Sequence, residues 1–461
     1  MNILLSLFLC MATTTYIPEV YGFFRIKNWK LPRLFSIKNK KTITNPLQKI
    51  NGFYGLIGPE MENRKFETLF DLFTRNGVIQ GVFFNHGNIT FVKHRIQTEK
   101  VEIEEKMKKS GLPLPRHFLL QSLYMFINSF YLLPNMMGVA NTALLSIQKN
   151  MYALYERDLP YKVGIHFENK TINTERKVDI PNIHHFSGHS KWNKNNETVE
   201  TIDCNVYWKK VSYFSLSFDF VERKRKDFSF VYIPIVHDFI KSGNQLFLID
   251  SPFVFDFFSK KTVPICLASN KKTYMYVYNT ETDKKETYEC DNGFTIFHYA
   301  DVRETERGYD IYGSVYDTLD FDNLNIVGRY RCIHLDKDTK KMTMEKNTEL
   351  ETLYNLDFPI VFGDKIISRN MNISKKCNDG FVITKGIDID KVILYEDREI
   401  LGEPKIVIPQ DTTSVYLCFF NKRGNTSFLS LQHLEKDEII DIPIDSPLEI
   451  GFHSVFLPSP A

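Results

Sequence analysis

From Gly52 onward the chain reads as short runs in which apolar and polar positions alternate, the period of a strand with one face buried. Three pairs of such runs are joined by compact polar turns: VGRYRCIHL and KMTMEK across DKDTK, YMYVYNT and KETYECD across ETDK, SVYLCFF and TSFLSLQ across NKRGN. Each pair predicts an antiparallel hairpin. Asn51-Gly52, Asn76-Gly77, Asn292-Gly293 and Asp379-Gly380 predict further hairpin turns, since a glycine in such a pair accepts the left-handed backbone that a tight turn needs. Strands at this spacing fit a β-propeller or a large β-barrel, and no repeat of about 40 residues is visible that would choose between them.

Two stretches break the pattern. Residues 118–134, FLLQSLYMFINSFYLLP, are apolar and helix-compatible and follow the cations Lys108, Lys109, Arg116 and His117. They predict a buried helix, or a surface helix that dips into one membrane leaflet with its basic flank at the headgroups; a full span is the poorer fit. The first 22 residues hold the run ILLSLFLCMA and resemble a signal peptide, although Lys and Arg are missing from its start. From Phe23 to Pro59 the chain carries eight basic and no acidic residues, either a solvated linker or the second half of a two-step plastid address. The expected organisation is therefore a signal-like segment at 1–22, a basic segment at 23–45, and one β domain at 46–461 with a helical apolar insertion at about 102–136. Membrane association is expected, in a plastid reached by a secretory route, with the ER lumen, secretion or the cytosol as alternatives.

Composition narrows the function classes. The 58 Lys and Arg nearly balance 56 Asp and Glu, so no basic field points to nucleic acid, and none is expected as a partner. The 38 Phe and 23 Tyr suit β-rich packing and supply walls for an apolar ligand. Seven cysteines stand far apart without a CxxC pair, which argues against a thiolate metal site and predicts free thiols.

Histidine is more informative. His237 in IPIVHDFI, His298 in FTIFHYAD and His453 in IGFHSVFLP each interrupt an apolar run, and His189 follows the turn-like FSG. A buried imidazole needs partners for its nitrogens, and strands converging on one axis could deliver one ring each to a common metal. A local pair, His185 and His189, has helical zinc spacing, but Pro181 and FSGHS disfavour a helix there.

Four blocks then carry a resemblance. NGFYGLIGPE, GVANTALLSIQKNMYALYERDLPYKV, IPIVHDFIKSGNQLFLIDSPFVFD and GFHSVFLP, in this order, resemble the carotenoid cleavage oxygenases, a family of non-haem iron enzymes that includes retinoid isomerase relatives. The resemblance implies an all-β, seven-bladed β-propeller with a small helical cap bearing the apolar, membrane-facing segment 118–134. It implies one Fe(2+) per chain held by His189, His237, His298 and His453. Glu156 would orient His237 and Glu403 would orient His453. Asp357 stands where the family has a third glutamate; being one methylene shorter, it is expected to hold His298 through a lengthened or water-bridged bond. Thr142 matches the residue that crowds a vacant iron position, and Phe297 and Phe452 match aromatics that flank the polyene.

The implied activity is addition of both atoms of O2 across a conjugated double bond of a carotenoid or apocarotenoid, giving two carbonyl products. The runner-up on the same fold is isomerisation without cleavage, and ERDLPYKV looks more like the cleaving members. A metal-free propeller acting as a binding module is the alternative of another class.

Overall fold

Seven antiparallel sheets arranged as the blades of a propeller account for nearly all the regular structure in the computed structural model. The described residues are 35–37, 46–61, 68–110, 137–256, 263–324 and 326–460, together with Leu123, Phe126, Asn135 and Lys261. Residues Leu34–Ala461 form one unit; the other, Met1–Arg33, lies outside the described residues, as do the signal-like segment and most of the basic one.

Blade 1 is built from both ends of this unit. Its strands Gly52–Pro59, Gly77–Asn85 and Asn88–Arg95 pair in sequence, and Ser454–Pro458 adds to the edge of Gly52–Pro59. Blades 2 to 4 begin with the strands Ala143–Ile147, Lys191–Asn193 and Ile240–Ser242; blades 5 and 6 begin with Thr295–Thr305 and Leu356–Phe362. Each continues outward through three more strands. In blade 7 the innermost position is split, since Glu399–Ile400 and Lys405–Val407 both pair with Tyr416–Arg423 and leave a break at 401–404.

Alternation along each strand explains why the blades stack. In Gln245–Asp250 of blade 4, Leu246 and Leu248 pack toward blade 3 with Tyr213 and Phe228, whereas Phe247 and Ile249 pack toward blade 5 with Ile311 and Ile333. Successive side chains of a strand point to opposite faces, and here both faces are covered. Every adjacent pair of blades shares such a cluster, and the seam between blades 7 and 1 holds Tyr54, Phe91 and Phe420. The aromatic excess of the sequence fills these seams.

The three hairpins joined by DKDTK, ETDK and NKRGN are present in blades 5, 4 and 7. The four Asn-Gly and Asp-Gly turns are not. Gly52 and Gly77 begin strands, Asn292-Gly293 lies in the crossing to blade 5, and Gly380 lies inside the strand Cys377–Lys385. At Gly380 a Cβ would stand 2.0 Å from the Ile393 carbonyl oxygen of the next strand, so the glycine serves close strand approach instead of a turn. The turn in blade 1 is at His86-Gly87, both with positive φ (47° and 86°).

Before and after the blade 1 strands Gly77–Asn85 and Asn88–Arg95 come the helices Leu69–Thr74 and Glu99–Ser110, the first opened by a capping box between Thr68 and Asp71. The apolar segment 118–134 lies outside the described residues except for Leu123 and Phe126, which are helical; the Phe126 ring meets Tyr207 at 5.5 Å. Among the described residues no helix is long and apolar enough to cross a membrane.

Candidate metal centre

The innermost strand of each blade, or the residues beside it, supplies one polar side chain around a common centre. In blade order these are His453, Thr142, His189, His237, His298, Asp357 and Glu403. Glu156, from the link between Asn150–Leu154 and Tyr161–His166 of blade 2, is the eighth. The site is thus a ring in which no two histidines share a blade.

The four histidines present ligand atoms that all lie within 4.8 Å of one another. Ring centroids are 4.3 Å apart for His189 and His453 and 5.1 Å for His237 and His298. His298 and His453 are buried, and the other two are nearly so. Three of the rings are held from behind. His298 Nδ1 donates to Asp357 Oδ1 at 2.6 Å, His453 Nδ1 to Glu403 Oε1 at 3.2 Å, and His237 Nδ1 lies 2.7 Å from Glu156 Oε1, although no aligned hydrogen bond joins the last pair. A carboxylate on Nδ1–H leaves the lone pair on Nε2, which then faces the centre.

Two observations fit this centre to a cation. His298 Nε2 is buried without a hydrogen-bond partner, and His189 Nε2 stands 3.1 Å from His237 Nε2. An orphaned buried nitrogen and lone pairs converging at this range are costly alone and are satisfied by one metal ion between them. An all-imidazole donor set suits zinc, copper, nickel or iron, whereas an alkaline-earth ion would call for oxygen ligands.

The electrostatics agree. Burial and then the neighbouring rings His453, His237 and His298 hold the His189 pKa well below its ordinary value, and burial lowers that of His453 despite Glu403. Burial would also lower His298, but Asp357 outweighs it and the pKa is raised. Burial opposes ionisation of the carboxyls, yet the facing histidines keep Asp357 and Glu156 low and Glu403 at about 2. The lowered His189 and His453 rings and the ionised carboxylates favour a divalent metal, and at His298 a metal would have to displace the proton that Asp357 favours.

The expected long or water-bridged bond from Asp357 is not found; the contact is direct and short. It falls at a β-bulge. Asp357 pairs with Arg369 and Ile360 with Ile367, so an extra residue is inserted, and Phe358 takes φ 54°, a left-handed backbone rare for so bulky a side chain. The bulge thus sits at the residue that makes this short contact. Asp357 Oδ2 accepts from Tyr316 Oη at 2.6 Å, which fixes the carboxylate.

Phe358 itself is a site residue that sequence reasoning missed. Its ring packs at a tilt on His298 at 4.7 Å and on His453 at 4.8 Å. The only signal was its place between Asp357 and Pro359, a strand interruption. Asp238 was likewise unassigned. Buried, it accepts from the Tyr299 backbone N–H at 3.0 Å and from Lys191 Nζ at 2.7 Å, tying together the strand starts that carry His189, His237 and His298. His185 bonds to Asp203 and stands outside the four-histidine group.

Thr142 donates to Glu156 Oε2 at 3.2 Å. Gly188, just before His189, is there because a Cβ would meet Thr142 Cγ2 at 2.6 Å and Glu156 Oε1 at 2.9 Å. Beside the centre lies a cavity of about 670 Å³ whose walls include Phe73, Phe297, Phe321, Leu324, Phe358 and Phe452. Phe297 also packs on His237 at 4.8 Å.

The chain is 26% identical over 301 residues to the carotenoid 9,10(9',10')-cleavage dioxygenase 1 of Pisum sativum, covering 60% of this chain and 53% of that protein. The protein of the same name from Phaseolus vulgaris is 25% identical over 275 residues, 56% of this chain and 50% of that one. The chain thus spans about half the length of the relatives it matches. Cobalt-substituted Synechocystis ACO superimposes with a TM-score of 0.74 at 13% identity over 94% of this chain and 97% of that one. A glutamate-to-aspartate variant of Synechocystis apocarotenoid oxygenase gives 0.73 over the same shares at 13% identity. The family profile described as retinal pigment epithelial membrane protein matches residues 48–458, and the chain belongs to that family, the carotenoid cleavage oxygenases.

Proposed function

We propose that this protein is an iron-dependent oxygenase that cleaves a conjugated double bond of a carotenoid or apocarotenoid with O2. The observation that carries the reading is the set of four imidazoles, three of them backed by carboxylates, at the wall of an aromatic cavity. His189, His237, His298 and His453 would hold Fe(2+), and iron bound there supplies the activation of dioxygen.

The remaining work falls to the chain's own residues. Phe297, Phe452 and Phe358 form flat walls that a rigid polyene can lie against, so a single double bond is presented to the centre. The apolar lining keeps water from the reacting bond. Glu156, Asp357 and Glu403 hold the imidazoles at fixed angles so that little rearrangement is needed when the metal binds. Thr142 Cγ2 occupies space beside Gly188 and would crowd the approach to the centre next to His189.

The curated relatives are named for cleavage, which favours cleavage over isomerisation. Protein purified without oxygen should contain one iron per chain, and under air it should convert a carotenoid or apocarotenoid into two shorter carbonyl products. An isomer of unchanged carbon number would establish the isomerase reading, and a protein that takes no iron would remove both. We further propose that segment 118–134 rests on a bilayer and passes the substrate to the cavity. Vesicle flotation of the protein and of a variant lacking 118–134 tests this, and equal flotation would refute it. Delivery to a plastid predicts that residues 1–45 carry a fluorescent protein there; retention in the secretory pathway or cytosol would refute it.

A further inference from the structure

Lining the cavity is a cation that has no salt-bridge partner among the described residues. Arg369 lies on Lys365–Asn372 of blade 6, directly across from Asp357 in the strand register. Such a pair normally forms a salt bridge. Here it does not, because Asp357 spends Oδ1 on His298 and the Phe358 amide and Oδ2 on Tyr316. The guanidinium rests instead over the Phe358 ring, 4.1 Å from its centroid. Among the described residues it makes no hydrogen bond and has no carboxylate oxygen within 4.0 Å, although Asp322 and Glu399 line the same cavity.

The guanidinium is partly buried, and the carboxylates that act on it, Asp357 and Glu403, are bonded to histidines, so its N–H donors are left for a ligand. Burial lowers its pKa to about 10, so it remains charged at neutral pH. Its planar fork matches a carboxylate, and a ring against one face leaves its edge N–H groups for such a partner. Lys376, exposed at the rim of the same cavity, adds a second positive charge toward solvent.

We propose that Arg369 is an anion subsite that binds the terminal carboxylate of an acidic apocarotenoid. The proposal rests on the polyene reading above and adds a substrate class to it. Since Phe358 touches both Arg369 and the rings of His298 and His453, the anchored end lies near the metal centre. The double bond presented there is then one close to the acid terminus, with the hydrocarbon body extending along the aromatic walls.

The test is binding without turnover, on metal-loaded protein free of oxygen and again after chelation, followed by quenching of protein fluorescence. The probes are retinoic acid, retinol, the hydrocarbon with the same polyene, and benzoate as a short acid without a polyene. Retinoic acid should bind roughly ten- to hundredfold more tightly than the hydrocarbon, as a charged hydrogen-bonded pair allows. Arg369→Gln should abolish that preference while leaving hydrocarbon affinity near its starting value, and Arg369→Lys should retain part of it. An acid-to-hydrocarbon ratio unchanged in Arg369→Gln overturns the proposal, and so does a uniform loss for every probe, which is what mere packing on Phe358 would give. If benzoate binds in an Arg369-dependent way while no polyene binds, the subsite stands and the polyene reading fails. If neither binds, both fail.

Discussion

At residue scale, Asp357 shows how a substitution that looks weakening can be absorbed by the backbone. The sequence identified the carboxylate and its partner His298, but the distance was misjudged because a bulge with a left-handed Phe358 leaves no mark in composition. Because the backbone is shaped for the shorter side chain, Asp357→Glu should overpack the site and lower iron occupancy. Asp357→Ala should weaken metal binding by roughly 10- to 100-fold, the usual cost of removing a carboxylate behind a ligating histidine. Metal analysis after dialysis against a chelator distinguishes these from a neutral change. Gly188→Ala should also impair the site, since its Cβ collides with Thr142 Cγ2. Adding Thr142→Ser removes that methyl and should restore part of the metal binding, but not all of it, since Glu156 Oε1 is also close.

At the scale of elements, hairpins with polar loops were readable because alternation and turn chemistry agree over a dozen residues. The Asn-Gly signals misled because glycine also serves where two backbones approach closely, and a dipeptide cannot tell one use from the other. Arg369 escaped notice for a related reason, since its neighbours belong to another strand and to a bulge within it. Contacts between blades have their own pH signature. His94 of blade 1 bonds through Nε2 to Thr174 Oγ1 of blade 2 at 2.9 Å, and burial, then Arg95, lower its pKa from 6.5 to about 4. The unfolded chain takes up a proton below pH 6.5 that the folded protein refuses until about pH 4, so this residue's contribution is complete above 6.5 and is lost as pH falls through that window. His94→Gln should flatten the acid limb between these values in denaturant titrations, by on the order of 1–3 kcal/mol.

At the scale of the whole molecule, the blades of Leu34–Ala461 close into a ring, and closure depends on one strand. Ser454–Pro458 pairs with Gly52–Pro59, and His453 immediately precedes it. Deleting residues 452–461 should therefore remove a histidine and open the seam between blades 7 and 1. Loss of metal binding with a large fall in melting temperature is expected, whereas His453→Ala should lose the metal with a smaller effect on melting. Four histidines scattered along the chain suggested convergence, but their ring geometry became readable only through the family resemblance, since pattern alone left propeller and barrel equal.

That arrangement imposes an order of events. An emerging polypeptide that has not yet brought its two ends together has three of the imidazoles and no way to supply the fourth. On the iron reading proposed above, a redox-active ion would be captured firmly only by a finished ring, so oxygen chemistry would be withheld from half-made or nicked molecules, in which it would damage the protein itself.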